Sequence, residues 1–241
     1  MSEGVISISA SAPTPAPDVI LLQAQPQSLE IDRQRTAVVV IDMQNAFVSK
    51  GGMYDLRGIE LSGIQKIIEP IARISSAARK KGIKIIYVVM MYSPNLHDAG
   101  SPSSPSWYKG TLTTYREHPE WEDKLPTRGT WGAEIVDGLK PQEGDIVVEK
   151  LKYSAFFGTN LEAILKTYSI KYLMFAGVAT NVCVEATIRD AYHRDYFSIL
   201  ISDATANTGP KFTQESSIFN VQRYYGWVTN TENILKALAA S

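Results

Sequence analysis

Three residues of different chemistry stand where short apolar runs stop. Asp42 ends TAVVVID (36–42) and Lys150 ends DIVVEK (145–150). Cys183, the chain's one cysteine, follows KYLMFAGV (171–178) within GVATNVC. A carboxylate can take a proton, an ammonium can hold that carboxylate charged, and a thiol can attack a carbonyl. Each also has an ordinary reading. A lone cysteine is most often a small buried apolar group, an aspartate at a strand end caps a turn, and a strand-end lysine points to water. The three lie far apart in sequence, so local composition does not group them; the case rests on the set. Thr180 or Asn181 can cap a helix over 181–194 with Glu185 in its first turn. Cys183 then falls in that first turn, where free N–H groups and the helix dipole favour a thiolate and can hold an oxyanion.

Something must carry these side chains to one place. The apolar runs at 36–42, 83–91, 145–150, 171–178, 196–203 and 226–230 read as six strands, several of them continuous rather than alternating, as in parallel strands covered on both faces. Between them, 62–81, 160–168, 181–194, 214–225 and 231–240 read as helices; Pro70 must sit near the start of the first or kink it, and Gly82 ends it. Strand–helix alternation implies right-handed crossovers. The expected fold is α/β: a three-layer α/β/α arrangement of a mainly parallel six-stranded sheet with helices on both faces. Ligands in such sheets bind beyond the carboxyl ends of the strands, where the three residues stand. Residues 92–130, rich in Ser, Pro and Gly around Trp107 and Tyr108, read as a long functional loop.

The totals limit the classes. The chain has 241 residues and a net charge of −1, so no strong field directs it to nucleic acid or membrane. No apolar run approaches the roughly 20 residues of a membrane-spanning helix. One cysteine forms no intramolecular disulfide and suits a reducing cytosol, hence an expected cytoplasmic location. Three histidines without metal-ligand spacing argue against a histidine- or thiolate-rich metal site, and no metal and no cofactor are expected. Residues 1–30, with neither a basic start nor an apolar core, are expected to be a flexible extension rather than a signal peptide, and 31–241 a single domain.

VVVIDMQNAF, VVEKLKYSAFF and FAGVATNVCVEATIRDAYHRDY resemble the three signatures of the isochorismatase-like cysteine hydrolases, and the resemblance covers roughly residues 30–240. GSPSSPSWYKG, RGTW, DATANTGPKF and YYGWV are similar to the branch that hydrolyses ureidoacrylate. The resemblance implies a catalytic triad of Asp42, Lys150 and Cys183. It also implies a cis peptide between Val178 and Ala179, and an oxyanion hole made by the N–H groups of Ala179 and Cys183. Gln44 and Phe47 match pocket positions, Tyr92 and Asp98 match substrate-side positions, and Trp107, Tyr108 and Tyr153 are candidates for a wall over the substrate. Where that branch carries an Asn and a Trp, this chain has Met90 and Tyr92, and Met90 suits a less polar ligand. Arg189 and His193 are expected at the surface or an interface.

The implied activity is cysteine-dependent hydrolysis of a C–N bond in a small ureido, carbamoyl or amide substrate. Ureidoacrylate comes first; biuret, a carbamoyl amino acid or a nicotinamide-like amide is the alternative, as is a member that binds without catalysis. Nothing implies a nucleic-acid or membrane partner. The aromatic content of 92–130 and 219–228 suggests a homo-oligomer, dimer to tetramer.

Overall fold

The structure, a computed structural model, describes residues 17–240. The chain enters through an antiparallel pair, β1 (Val19–Leu22) and β2 (Leu29–Asp32). Six strands then build the central sheet: β3 (Thr36–Ile41), β4 (Lys84–Met90), β5 (Ile146–Lys150), β6 (Tyr172–Val178), β7 (Phe197–Ala206) and β8 (Trp227–Thr229). Their order is β5-β4-β3-β6-β7-β8, and every pairing is parallel. Single helical turns are formed by α1 (Asn45–Val48), α2 (Met53–Leu56) and α3 (Ser62–Gln65). The longer helices are α4 (Ile68–Lys80), α5 (Gly110–Glu117), α6 (Leu161–Thr167), α7 (Glu185–Tyr192), α8 (Lys211–Asn220) and α9 (Thr231–Ala239).

The layering follows from the handedness of the crossovers. From β3 through α4 the chain moves outward to β4; from β6 through α7 it moves the opposite way to β7. Right-handed connections in opposite directions place α4 and α7 on opposite faces. Helix α9 packs against α4 and shares its face. The two central strands are therefore covered on both sides, and all six residues of β3 are buried. The edge strand β5 instead leaves alternate residues exposed. Helix α4 contributes Ile71, Ile74 and Ala78 to the core at helical spacing; burying one such isoleucine stabilises the fold by about 1.5–3 kcal/mol.

The switch in strand order lies between β3 and β6. Ile41 pairs with Gly177 on one side and Val88 on the other, and Met90 pairs with Lys150. Gly177 has φ +109°, and a Cβ there would lie 2.1 Å from the Ile41 carbonyl oxygen. Only glycine permits that approach of β6 to β3.

Several expectations need correction. Residues 17–30 are not a loose extension: Ile20 and Leu22 are buried, and Gln25 exchanges backbone hydrogen bonds with Val228 on β8, covering that sheet edge. Residues 1–16 of the expected extension lie outside the described residues. The helix expected over 62–81 is two helices, because the Pro70 ring cannot continue past the carbonyl four residues earlier. The long loop contains helix α5, whose buried residues are Thr111, Leu112, Thr114 and Tyr115; threonines hid its apolar periodicity. The helix over 181–194 begins instead as a wide π-turn, Thr180–Val184.

Candidate active site

Asp42 follows β3 by one residue with φ +52°, a turn conformation that aspartate tolerates better than most residues. Its N–H donates to the Val88 carbonyl at 2.8 Å, and its own carbonyl accepts from Gln44 N–H. Lys150 closes β5. Cys183 lies in the π-turn after β6, where the Ala179 carbonyl accepts from both Val182 and Val184. The Thr187 hydroxyl donates to the Cys183 carbonyl and accepts from Ala155 N–H, which ties the turn to the segment after Lys150.

The structure brings the three residues together. Lys150 Nζ lies 2.9 Å from Asp42 Oδ2, 3.4 Å from Cys183 Sγ and 3.1 Å from the Lys152 carbonyl. An ammonium has three protons, and here it has three acceptors. Exposure is 2% for Asp42, 2% for Lys150 and 7% for Cys183. Burial works against the Lys150 charge, yet Asp42 and Cys183 beside it push its pKa up. The thiol behaves the other way. Burial, then the Asp42 carboxylate, push Cys183 far above its ordinary value, and Lys150 pulls back only in part. The resting group is therefore a thiol beside an aspartate–lysine ion pair. The expected first-turn thiolate does not hold, because the regular helix starts only at Glu185 and the sulfur is desolvated.

Asp42 and Cys183 open on a cleft of about 370 Å³. The peptide between Val178 and Ala179 is cis, and both residues line the cleft. Phe47 lines it too, its ring 5.0 Å from Tyr54 in an edge contact. Tyr153 lines it from the segment after β5.

Other expected contacts do not reach it. Gln44 is fully buried. Its amide donates to the Met90 and Ala133 carbonyls at 2.8 and 2.9 Å and accepts from Met90 N–H at 2.8 Å, so it braces the end of β4. Tyr92 stacks edge-on against Tyr115 and lines a neighbouring cavity of about 240 Å³. The Asp98 carboxylate accepts from the Ser93 N–H and hydroxyl, closing its own loop. Arg116 lies over both Trp107 and Tyr108, 5.7 and 5.6 Å from their rings, but only Tyr108 takes the cleft wall. Arg189 pairs with Glu185 at 2.6 Å and lies over the Tyr225 ring, away from the cleft. Exposed His193 is likewise remote. Sequence reasoning missed Tyr54, Arg57, Lys109 and Thr111 as lining residues. In SWYKGT, Lys109 follows Tyr108 directly and Thr111 stands two residues on, so the signal was adjacent.

No group of histidine, cysteine or carboxylate side chains among the described residues is arranged to hold a metal ion. No described helix is long and apolar enough to cross a membrane.

Residues 36–233 match the isochorismatase domain. The chain belongs to the isochorismatase family. Among its relatives, ureidoacrylate amidohydrolase RutB of Caulobacter segnis is 44% identical over 213 residues, covering 88% of this chain and 89% of that protein. The enzyme of the same name from Serratia proteamaculans is 43% identical over 222 residues, covering 92% and 90%. Among solved structures, a cysteine hydrolase from Pseudomonas syringae is 28% identical with a TM-score of 0.74, covering 87% of this chain and 95% of that one. An N-carbamoylsarcosine amidase from Thermoplasma acidophilum is 26% identical with a TM-score of 0.62, covering 82% and 97%. This isochorismatase-family hydrolase thus shares fold and sequence with enzymes across nearly its whole length.

Proposed function

We propose that this isochorismatase-family hydrolase is a cysteine-dependent amidohydrolase acting on ureidoacrylate. The observation that carries the reading is the buried Lys150 ammonium set between the Asp42 carboxylate and the Cys183 sulfur, both of which line a cleft. The names of the 43–44% identical relatives supply the substrate.

Asp42 takes the thiol proton, and Lys150 holds the resulting charges in place. Asp42 Oδ1 is buried and has no hydrogen-bond partner among the described residues, so one carboxylate oxygen is free to accept that proton. The Cys183 sulfur attacks the ureido carbonyl, and the N–H groups of Ala179 and Cys183 receive the oxyanion. The C–N bond to aminoacrylate breaks, and its nitrogen takes a proton from Asp42. Water then hydrolyses the carbamoyl thioester, releasing carbamate and restoring the thiol. The high pKa of Cys183 fits this order, since proton removal is coupled to attack rather than complete beforehand.

The reading implies a small-molecule substrate, a cytoplasmic setting and a homo-oligomer. One observation favours a second reading. Met90 lines the cleft, with its sulfur 3.8 Å from the Thr111 hydroxyl, and this apolar wall suits a less polar amide. A panel of ureidoacrylate, biuret, a carbamoyl amino acid and nicotinamide, scored by ammonia release, decides between them. Ureidoacrylate is expected to be turned over fastest; preference for nicotinamide or biuret would favour the second reading, and no ammonia from any of them would leave a binding protein.

A further inference from the structure

The ionisable groups lining the cleft do not cancel. Asp42 is neutralised by Lys150 at 2.9 Å. Arg57 is neutralised by Glu117 at 2.6 Å. The Cys183 thiol and the Tyr54 and Tyr153 hydroxyls are held uncharged by burial, each with its pKa raised. Lys109 is left. It lines the cleft, and among the described residues its ammonium has no ion-pair or hydrogen-bond partner. The cleft therefore carries one unbalanced positive charge in a chain whose net charge is −1. That charge is local, not a consequence of the overall field.

The base of this lysine is fixed although its head is free. Its N–H donates to the Ser106 carbonyl at 3.2 Å. The next residue, Gly110, has φ +52°, and a Cβ on it would lie 2.8 Å from the Tyr153 hydroxyl oxygen. The backbone at 109–110 thus rests on Tyr153, which lines the same cleft. Lys109 lines both this cleft and the neighbouring cavity of about 240 Å³, with Tyr153 common to the two.

We propose that Lys109 is the residue that selects an anionic substrate, pairing with a carboxylate at the far end of the molecule whose carbonyl lies at Cys183. The fitting class is a short acid bearing a terminal ureido or carbamoyl group. This inference rests on the amidohydrolase reading and adds which residue reads the acid. Arg57 fits that role less well, since its guanidinium already pairs with Glu117.

The test compares ureidoacrylate with its uncharged methyl ester, on the full chain and on its Lys109→Gln and Arg57→Gln variants. Lys109→Gln is expected to raise KM for the acid about tenfold, as loss of one charge-assisted contact at a partly solvated site should. KM for the ester and kcat for both should stay within about twofold. The discrimination should shrink as salt is raised. Equal losses for acid and ester, or loss through Arg57→Gln instead, would overturn the assignment. The same pair titrated calorimetrically against Cys183→Ala, with and without Lys109→Gln, reads binding without turnover. If the unaltered chain turns over neither compound, the amidohydrolase reading fails, while the binding comparison still decides whether Lys109 reads the carboxylate.

Discussion

Along one wall of the cleft, Asp42 and Cys183 sit at or just past the ends of β3 and β6, buried, with Lys150 behind them. Along the other, Tyr108 and Lys109 stand at the start of α5, and Tyr108 is 54% exposed. The first wall grows from the two central strands of a parallel sheet, so side-chain positions there are fixed by ladders on both sides. The second grows from the short turn Pro105–Tyr108, none of whose residues is buried. The difference teaches a division of labour: the sheet holds the groups that react, and the turn-rich wall holds the groups that choose what reacts. Substitutions in the first wall should abolish chemistry or stability, and those in the second should move KM.

The largest effect is expected for Cys183→Ala, with turnover reduced about 10⁴-fold or more, since without the nucleophile only binding and oxyanion contacts remain. Steady-state rates check it. Asp42→Asn should lower turnover about 10²–10⁴-fold as the base is lost. The sign at sulfur is opposite. A neighbouring carboxylate disfavours a thiolate, so removing it while Lys150 stays lowers the Cys183 pKa. The midpoint of iodoacetamide alkylation against pH should therefore move down in this inactive variant, which separates a base from a merely structural residue.

Lys150→Ala should cost about 3–5 kcal/mol in chemical unfolding, because it leaves a buried carboxylate unpaired. The raised Lys150 pKa has a definite linkage sign. Its contribution to stability is complete below the ordinary lysine value of 10.5 and is lost only as pH rises through the higher folded value. Gln44→Ala should destabilise by about 3 kcal/mol, leaving three buried backbone groups without partners, with KM nearly unchanged. An increase in KM without destabilisation would instead return Gln44 to the substrate. The smallest effect belongs to Trp107→Ala, with KM altered by less than about twofold, while Tyr108→Ala at the cleft raises it more.

The contrast between the walls also explains what could be read beforehand. Each of the six strands lies where an apolar run stands in the sequence, because burial on both faces leaves no room for polar interruption. Asp42 and Lys150 were legible as residues that break those runs at the carboxyl end. Gln44 was not legible, since a buried glutamine that braces backbone has the same composition signal as one that faces a ligand. In residues 92–130, adjacent aromatics share the Arg116 guanidinium, 5.7 Å from Trp107 and 5.6 Å from Tyr108, yet Tyr108 lines the cleft and Trp107 does not. No periodicity distinguishes neighbours in an irregular turn, so Asp98 and Trp107 were named beside Tyr108, while Lys109, which also lines the site, was not. The π-turn at Thr180–Val184 escaped for a related reason, since its sequence caps a regular helix equally well.

The central claim is that Cys183 attacks the substrate carbonyl. Acid quenching during turnover of ureidoacrylate, followed by peptide mass spectrometry, tests it most directly. The account predicts a carbamoyl group on the peptide carrying Cys183, absent when Asp42 is replaced by asparagine. Undiminished ammonia release by Cys183→Ala, or an adduct on a different residue, would contradict it.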